Sequence, residues 1–303
     1  LPGLDGWLLC EIIHKVDRWN HIPIVLQSAL VGADNIRKGL NLGAPSYLEK
    51  PFTKEGLKSV LDSVLEKDHT AIQRLPDAMR HPEGKWFAVH YGTVGLFVNV
   101  DALGGAPVPQ CWADLTKPEY RGMVGYLDPS SAFVGYAGAV AVNLANGGDL
   151  GNFDPAIDYF SQLAENDPIV PKQTSFARVV SGEIPILFDY DFNAYRGKYE
   201  EDGNFEFVLP CEGSVRVPYV MSLVADAPHA EAGKKVLDFI MSDEGQAIWT
   251  NAYLQPARPV ELPAEVADKF LPASDYERAV SVDYGEMEKA QAAFGERYLS
   301  EVK

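Results

Sequence analysis

The spacing of hydrophobic residues along this chain changes repeatedly, and each change marks an element. Ile22-Pro23-Ile24-Val25-Leu26 is a short apolar run rich in branched residues, as a strand buried on both faces requires. Asp34 to Leu42 reads as a helix closed by Gly43 in the C-terminal cap position. Ser46-Tyr47-Leu48 is a second short strand. Thr53 then caps a helix with Leu57, Val60, Leu61, Val64 and Leu65 on one face, a 3.6-residue pattern. Strand followed by helix, repeated, predicts parallel strands joined by right-handed crossovers.

From Trp86 the sequence reads as strand, then a long excursion, then strand again. Val94 to Val100 is a strand, and the turn-rich Gly104-Gly105-Ala106-Pro107-Val108-Pro109 predicts a crossing between lobes. A short helix around Trp112 to Leu115 and a strand from Met123 to Leu127 follow. After Asp128-Pro129-Ser130-Ser131 comes a helix rich in small residues, which lets it lie close against a sheet. Asp154-Pro155 opens another helix, with a capping residue and a proline at its start. Ile184 to Phe188 is a strand, and Phe205 to Leu209 returns the chain through a second crossing, Pro210-Cys211-Glu212-Gly213. Tyr219 to Val224 is again strand, with amphipathic helices from His229 to Met241 and from Asp243 to Asn251. Paired crossings around a central α/β block predict a clamp of two lobes, residues 1–107 with 213–303 against residues 108–212.

Composition narrows the function. A chain of 303 residues can bury one large or two medium cores, and 47% hydrophobic with 23% charged residues is a folded, not a disordered, composition. The formal net charge of −17 argues against nucleic acid as a partner, because phosphate backbones attract basic surfaces. No apolar run approaches the ~20 residues that span a bilayer, so membrane insertion is not expected. No basic, apolar leader opens the chain, and no signal peptide is expected within it. Three cysteines, Cys10, Cys111 and Cys211, are too few for a disulfide scaffold and lack metal-site spacing. They read as three buried thiols, or as a Cys111–Cys211 bond beside a free Cys10, since Cys111 and Cys211 each lie just beyond a crossing. No nucleophile–base–orienter set, metal triad or phosphate-cradling glycine loop occurs, so neither an enzyme nor a cofactor is expected.

Leu1-Pro2-Gly3-Leu4-Asp5-Gly6, Ser28-Ala29, Tyr47 and Lys50-Pro51-Phe52 together resemble the second half of a response-regulator receiver domain. The resemblance covers residues 1–67 and implies half of a flavodoxin-like fold. It assigns Ser28 and Lys50 to phosphate contacts and Tyr47 to the aromatic switch. The phosphoacceptor aspartate and the acidic metal-binding pair of that family have no counterpart here. Phosphoryl transfer would lack both nucleophile and charge neutralisation, so a scaffolding role is expected.

A different resemblance takes over after Lys67. Its marks are Trp86-Phe87 with Tyr91-Gly92, Trp112-Ala113-Asp114-Leu115 with Pro118-Glu119-Tyr120-Arg121-Gly122, Ser181-Gly182-Glu183-Ile184-Pro185, Ala227-Pro228 and Ser242-Asp243-Glu244-Gly245-Gln246. In this order they resemble type II periplasmic solute-binding proteins of ABC transporters, whose relatives bind ferric iron, polyamines or phosphonates. The resemblance implies a non-enzymatic, monomeric, two-lobed α/β fold, each lobe a doubly wound, mostly parallel sheet. It also implies a small-molecule or ion solute, a transporter permease as partner and a periplasmic location, whereas a receiver segment belongs in the cytoplasm. The family's opening strands are replaced by the receiver-like segment, which is expected to complete the first lobe's sheet in an engineered hybrid. A functionally silent chimera and a response-regulator-type signalling protein are the alternatives.

Candidate ligand residues follow from strand ends, where open α/β sheets bind their ligands. Ser130 and Ser131 either offer hydroxyls and free amides to an anion or carbonyl oxygen, or cap the helix. Gln173-Thr174-Ser175 carries the same ambiguity. Asp189, Tyr190, Asp191, Asn193 and Tyr195 form the densest polar and aromatic segment, where ferric-iron binders of the resembled family present tyrosines. Such a set would suit a hard cation or, with aromatic walls, an organic amine, or else it is a buried cluster. The family's adjacent tyrosine pair does not occur. His90-Tyr91 precedes the Val94 strand on the first lobe, with His90 read as a packed or hydrogen-bonded histidine rather than a metal ligand. Tyr219 and Arg258 lie on the returning portion, where Arg258 would suit a carboxylate or phosphonate, or a surface salt bridge. Ser28 and Lys50 would add an anion-friendly patch.

Overall fold

The computed structural model describes residues 25–28, 46–49, 53, 75, 77–173 and 175–303. The chain forms two compact units, Leu1–Thr70 and Ala71–Lys303. In the first, strand β1 (Val25–Ser28) pairs in parallel with β2 (Ser46–Glu49), Val25 opposite Ser46 and Ser28 opposite Glu49. Parallel pairing is what the strand–helix–strand pattern requires. The expected helix at Asp34–Leu42, the helix expected after Thr53, the opening loop, Cys10 and Lys50 lie outside the described residues, as do the side chains of Ser28 and Tyr47.

The second unit is organised by one long strand. β3 (Phe87–Asn99) is 13 residues long, and its two halves have different neighbours. Phe87 to Thr93 pairs antiparallel with β7 (Ser214–Met221), and His90-Tyr91 also with β8 (Gln255–Pro256). Val94 to Val98 pairs with β5 (Ile186–Tyr190), and Leu96 to Asn99 with β6 (Phe205–Val208). β4 (Val124–Gly125) runs parallel to β5, and β9 (Ala279–Val280) parallel to β7. Six strands therefore point one way and β3 alone opposes them, a mostly parallel α/β arrangement. The sequence reads as strand from Trp86 and most strongly from Val94 to Val100, and β3 joins these into one element from Phe87 to Asn99. Burial on both sides of β3 removes the alternation that would mark it as one half-buried strand.

Among the described residues, β1 and β2 form a two-stranded ladder and the strands of residues 71–303 a seven-stranded one.

The helices are α1 (Phe133–Ala145), α2 (Asp154–Ala164), α3 (Phe176–Val180), α4 (Asp191–Glu200), α5 (Ala230–Met241), α6 (Asp243–Ile248), α7 (Ala264–Ala267) and α8 (Tyr284–Glu301). Alternate residues of β3 feed two cores. Val94, Leu96 and Val98 pack with Trp112, Phe160, Phe188 and α1, while Phe97 packs with Tyr195, Phe205 and Phe207 against α4. The small residues of α1 do what the sequence implies. A side chain at Gly135 would lie 2.1 Å from the Leu127 carbonyl oxygen, and one at Gly138 3.3 Å from Phe188.

Two devices hold the middle of this unit. The first joins the segments that follow β3 and β6. Cys111 and Cys211 form a disulfide, Cys211 N–H donates to Gln110 O at 2.9 Å, and the buried Trp112 donates its ring N–H to Gly213 O at 2.9 Å. The Glu212 carboxylate accepts from the amides of Trp112 and Ala113 at 2.8 and 3.0 Å.

The second device is Asp191, 1% exposed. β5 ends with Tyr190 opposite Val94, and β8 begins its pairing with Gln255 opposite Tyr91. The Thr93 N–H between these ladders donates to Asp191 Oδ1 at 3.0 Å. Asp191 Oδ2 accepts from Gln255 Nε2 at 2.6 Å and from the Tyr276 hydroxyl at 3.3 Å. A carboxylate thus replaces a missing strand neighbour at the point where β3 changes partners. Burial pushes its pKa up to about 7, against the lowering effect of these hydrogen bonds.

The disulfide closes a loop with a sequence separation of 100 residues. Replacing both cysteines by serine is expected to lower the unfolding free energy by about 2–5 kcal/mol, measured by denaturant titration; an unchanged midpoint contradicts this. Asp191 binds its proton more tightly in the folded than in the unfolded chain, where an aspartate titrates near ~3.9. Its contribution is therefore complete at low pH and is lost as pH rises from the unfolded pKa to about 7. The stability difference between wild type and Asp191→Asn should fall across that window and flatten above it; a pH-independent difference refutes the assignment.

Candidate functional site

A cavity of about 700 Å³ opens between the first turn of α1, the end of β5, the outer half of β7 and the start of α8. Its walls include Trp86, Phe133, Tyr190, Tyr219 and Tyr284, and Glu288 is the charged residue among those lining it. The aromatic centre is set by strand pairing. Tyr219 on β7 stands opposite His90 on β3, and their rings stack with centroids 4.6 Å apart. Trp249 lies 4.6 Å from the same imidazole on a tilted plane. Tyr190, the last residue of β5, meets Tyr219 edge-on at 6.0 Å, and Phe192 stacks on Tyr190 at 5.1 Å. Gly92 permits this, because a Cβ there would lie 2.7 Å from the Phe192 ring.

The electrostatics of this cluster are those of a dry site. Burial pushes the His90 pKa down to about 4, so the imidazole is neutral at pH 7. Its Nδ1 and the Trp249 ring N–H are buried without hydrogen-bond partners. The Tyr190 and Tyr219 hydroxyls are hydrogen-bonded to each other, and burial raises the pKa of both phenols. Tyr219 remains 38% exposed and Phe133 49% exposed, so an apolar surface faces the opening.

The loop entering α1 is already satisfied internally. Asp128 Oδ1 accepts from the Ser130 amide at 2.9 Å and the Ser130 hydroxyl at 2.6 Å. The Asp128 carbonyl accepts from the amides of Ser131 and Ala132 at 3.1 and 2.9 Å. Lys303 Nζ meets the other carboxylate oxygen of Asp128 at 2.5 Å and holds its pKa below the usual range, together with Ser130. The helix begins with Ala132 as its first flanking residue and no side-chain cap, so neither serine plays the expected capping role. Ser175 likewise bonds the Gln173 carbonyl at 2.8 Å, and Thr174 lies outside the described residues.

Of the residues singled out from sequence, His90, Tyr190 and Tyr219 come together. The others are distributed. Asp189 is buried on β5, where its Oδ1 accepts from the Tyr190 amide and from Asn193 Nδ2 while Oδ2 has no partner; burial raises its pKa to about 6. Asp191 holds β3. Tyr195 exchanges a 2.6 Å hydrogen bond with the Tyr276 hydroxyl beyond the other side of the sheet. Tyr91 faces Arg216, whose guanidinium lies 5.2 Å from its ring centroid. Arg258, 6% exposed, donates Nε to Met241 O at 2.9 Å and pairs with Asp243, which ties α5 to α6.

The cavity-wall residues missed by sequence reading include Trp86, Phe133, Tyr284 and Glu288. α8 had a readable signature, with Asp283 capping Gly285 and Glu286 and Met287, Phe294 and Tyr298 recurring on one side. Its position beside β7 was not readable, because nothing local announces a distant helix as a cavity wall. Among the described residues the one cluster of three His, Cys, Asp or Glu donors is Cys111, Cys211 and Glu212, whose sulfurs are joined to each other. No helix among them is long and apolar enough to cross a membrane.

Known proteins resemble the chain in two ways. A regulator of Porphyra purpurea, ycf29, is 33% identical over 75 residues, 25% of this chain and 36% of that protein. A Salmonella typhi periplasmic protein, named for 2-aminoethylphosphonate binding, is 28% identical over 145 residues, 46% of this chain and 42% of its own length. The chain thus spans less than half the length of the first curated relatives it matches. The solved periplasmic binding protein AfuA of Actinobacillus pleuropneumoniae, with fructose-6-phosphate bound, superposes with a TM-score of 0.60. It is 22% identical, with 77% of this chain and 74% of that one covered, a likeness of fold. Residues 40–287 match the family described as bacterial extracellular solute-binding protein, starting upstream of the change of character near Lys67. With most of its length inside that match, this chain belongs to the bacterial extracellular solute-binding protein family.

Proposed function

We propose that residues 71–303 form a non-enzymatic solute clamp of an ABC uptake system, and that its solute is a small organic cation or amine. The observation that carries the reading is the lining of the cavity. Aromatic faces from Trp86, Phe133, Tyr190 and Tyr219 surround it, and its charged residue is the carboxylate Glu288. Aromatic quadrupoles with one carboxylate stabilise an ammonium group and repel a bare anion. The anion-friendly alternative at Ser130 and Ser131 is disfavoured because Asp128 already occupies those donors. The 2-aminoethylphosphonate named for a Salmonella relative carries such an amine.

The change of partners at Thr93–Val94 supports hinging inside β3, with residues 94–213 closing against the strands β7 and β8. On this reading the lobe boundary within this unit is proposed at Thr93–Val94, earlier than the Gly104–Pro109 crossing. The disulfide suits an oxidising compartment and supports a periplasmic working location with a permease as partner. The receiver-like segment is proposed as a scaffold donated by a signalling protein in a hybrid chain. The parallel β1–β2 pair and the match to ycf29 support this.

Calorimetry with choline, spermidine, 2-aminoethylphosphonate, glucose-6-phosphate and ferric citrate tests the assignment. The amines should bind saturably, and Tyr219→Ala should weaken them about tenfold, ~1.4 kcal/mol. Glu288→Gln should weaken amines severalfold. Preference for the sugar phosphate or iron, or silence with every solute and no molecule retained in native mass spectrometry, overturns it.

A further inference from the structure

A second cavity, about 680 Å³, lies on the other face of the same crossing strands. Neighbouring residues on a strand point to opposite faces, so Tyr219, stacked on His90, lines the first cavity while Tyr91 and Arg216 line this one. Its remaining wall is the segment after β8, with Leu262, Phe270 and Leu271 partly buried against it.

Arg216 is the informative residue. Its Nη2 donates to Tyr276 O at 2.7 Å, and the guanidinium lies over the Tyr91 ring at 5.2 Å. Its Nε is buried with no hydrogen-bond partner among the described residues. Among the described residues Arg216 forms no ion pair, in a chain with 43 acidic against 26 basic residues. Arg216 is half-buried, and a guanidinium that lines a cavity with no carboxylate paired to it keeps charge-assisted donor capacity for an occupant.

We propose that this second cavity is a binding site for a small monocarboxylate with an apolar body. The carboxylate would take the free edge of Arg216, whose planar fork matches it, and the hydrocarbon portion would lie against Tyr91, Phe270, Leu271 and Leu262. A phosphate-like dianion fits less well, since the remaining walls are apolar and Asp268 stands at the rim. The site also touches the device that holds β3. Gln255 and Tyr276 line the cavity and both donate to Asp191, so an occupant of this site bears on the point where β3 exchanges partners.

The test is calorimetric titration of the full chain with phenylacetate, isovalerate and, as neutral control, phenylacetamide. Wild type should bind both carboxylates saturably and the amide at least about tenfold more weakly, as expected for loss of one charge-assisted interaction. Arg216→Gln should remove the preference for carboxylate over amide. Because loss of Arg216 also frees the Tyr276 carbonyl, Leu271→Trp serves as a second variant that fills the cavity with Arg216 intact, and it should abolish binding. Tyr219→Ala, in the other cavity, should leave phenylacetate affinity unchanged. Equal binding of acid and amide, affinity that survives Arg216→Gln or Leu271→Trp, loss in Tyr219→Ala, or no saturable heat with either carboxylate each overturn the proposal. Since the first cavity is tested with amines, either assignment can fail alone.

Discussion

The rest of the second unit depends on β3 keeping one continuous backbone while its neighbours change. From Phe87 to Thr93 it is held by β7 and β8, and from Val94 to Asn99 by β5 and β6. A strand that exchanges partners leaves an amide unclaimed at the junction, and a buried unclaimed amide costs as much as a lost hydrogen bond. Asp191 removes that cost at Thr93, and in doing so brings Gln255 and Tyr276 to the same point. A residue that sequence reading treated as a ligand is a structural pin, and the pin lies between the two cavities.

Both cavities follow from this strand geometry. The registers that place His90 opposite Tyr219 and Thr93 opposite Arg216 send aromatic rings to one face and a cation to the other. A one-residue slip would exchange the faces and destroy both sites. The disulfide and the Trp112–Gly213 hydrogen bond tie the segments beyond β3 and β6 to each other, so the register is fixed from that end as well. The net charge of −17 sets the context for the two sites. The proposed cation-seeking cavity agrees with it, whereas an Arg216 without an ion-pair partner among the described residues stands out against it.

The two resemblances within one chain meet in the same short stretch. The solute-binding family match begins at residue 40, while receiver-like features run to Lys67. Both families build strand–helix–strand units with parallel pairing, so one local pattern satisfies both, and motif reading alone draws the boundary in different places. β1 and β2 show that pairing.

What the amino-acid order determined by itself was local. Apolar runs located β5 and β6, glycine and small residues marked α1 as a helix that lies close to a sheet, and 3.6-residue spacing located α5. These are readable because backbone geometry imposes its period on neighbouring residues. Tertiary structure decided what each polar or aromatic side chain does. Ser130 was claimed by Asp128, Arg258 by Asp243 and Met241, Tyr195 by Tyr276, and Glu288 was carried to a cavity wall by a helix over sixty residues beyond β7. Partners brought together across the sheet compete for the same hydrogen bonds, and only their distances say which one wins.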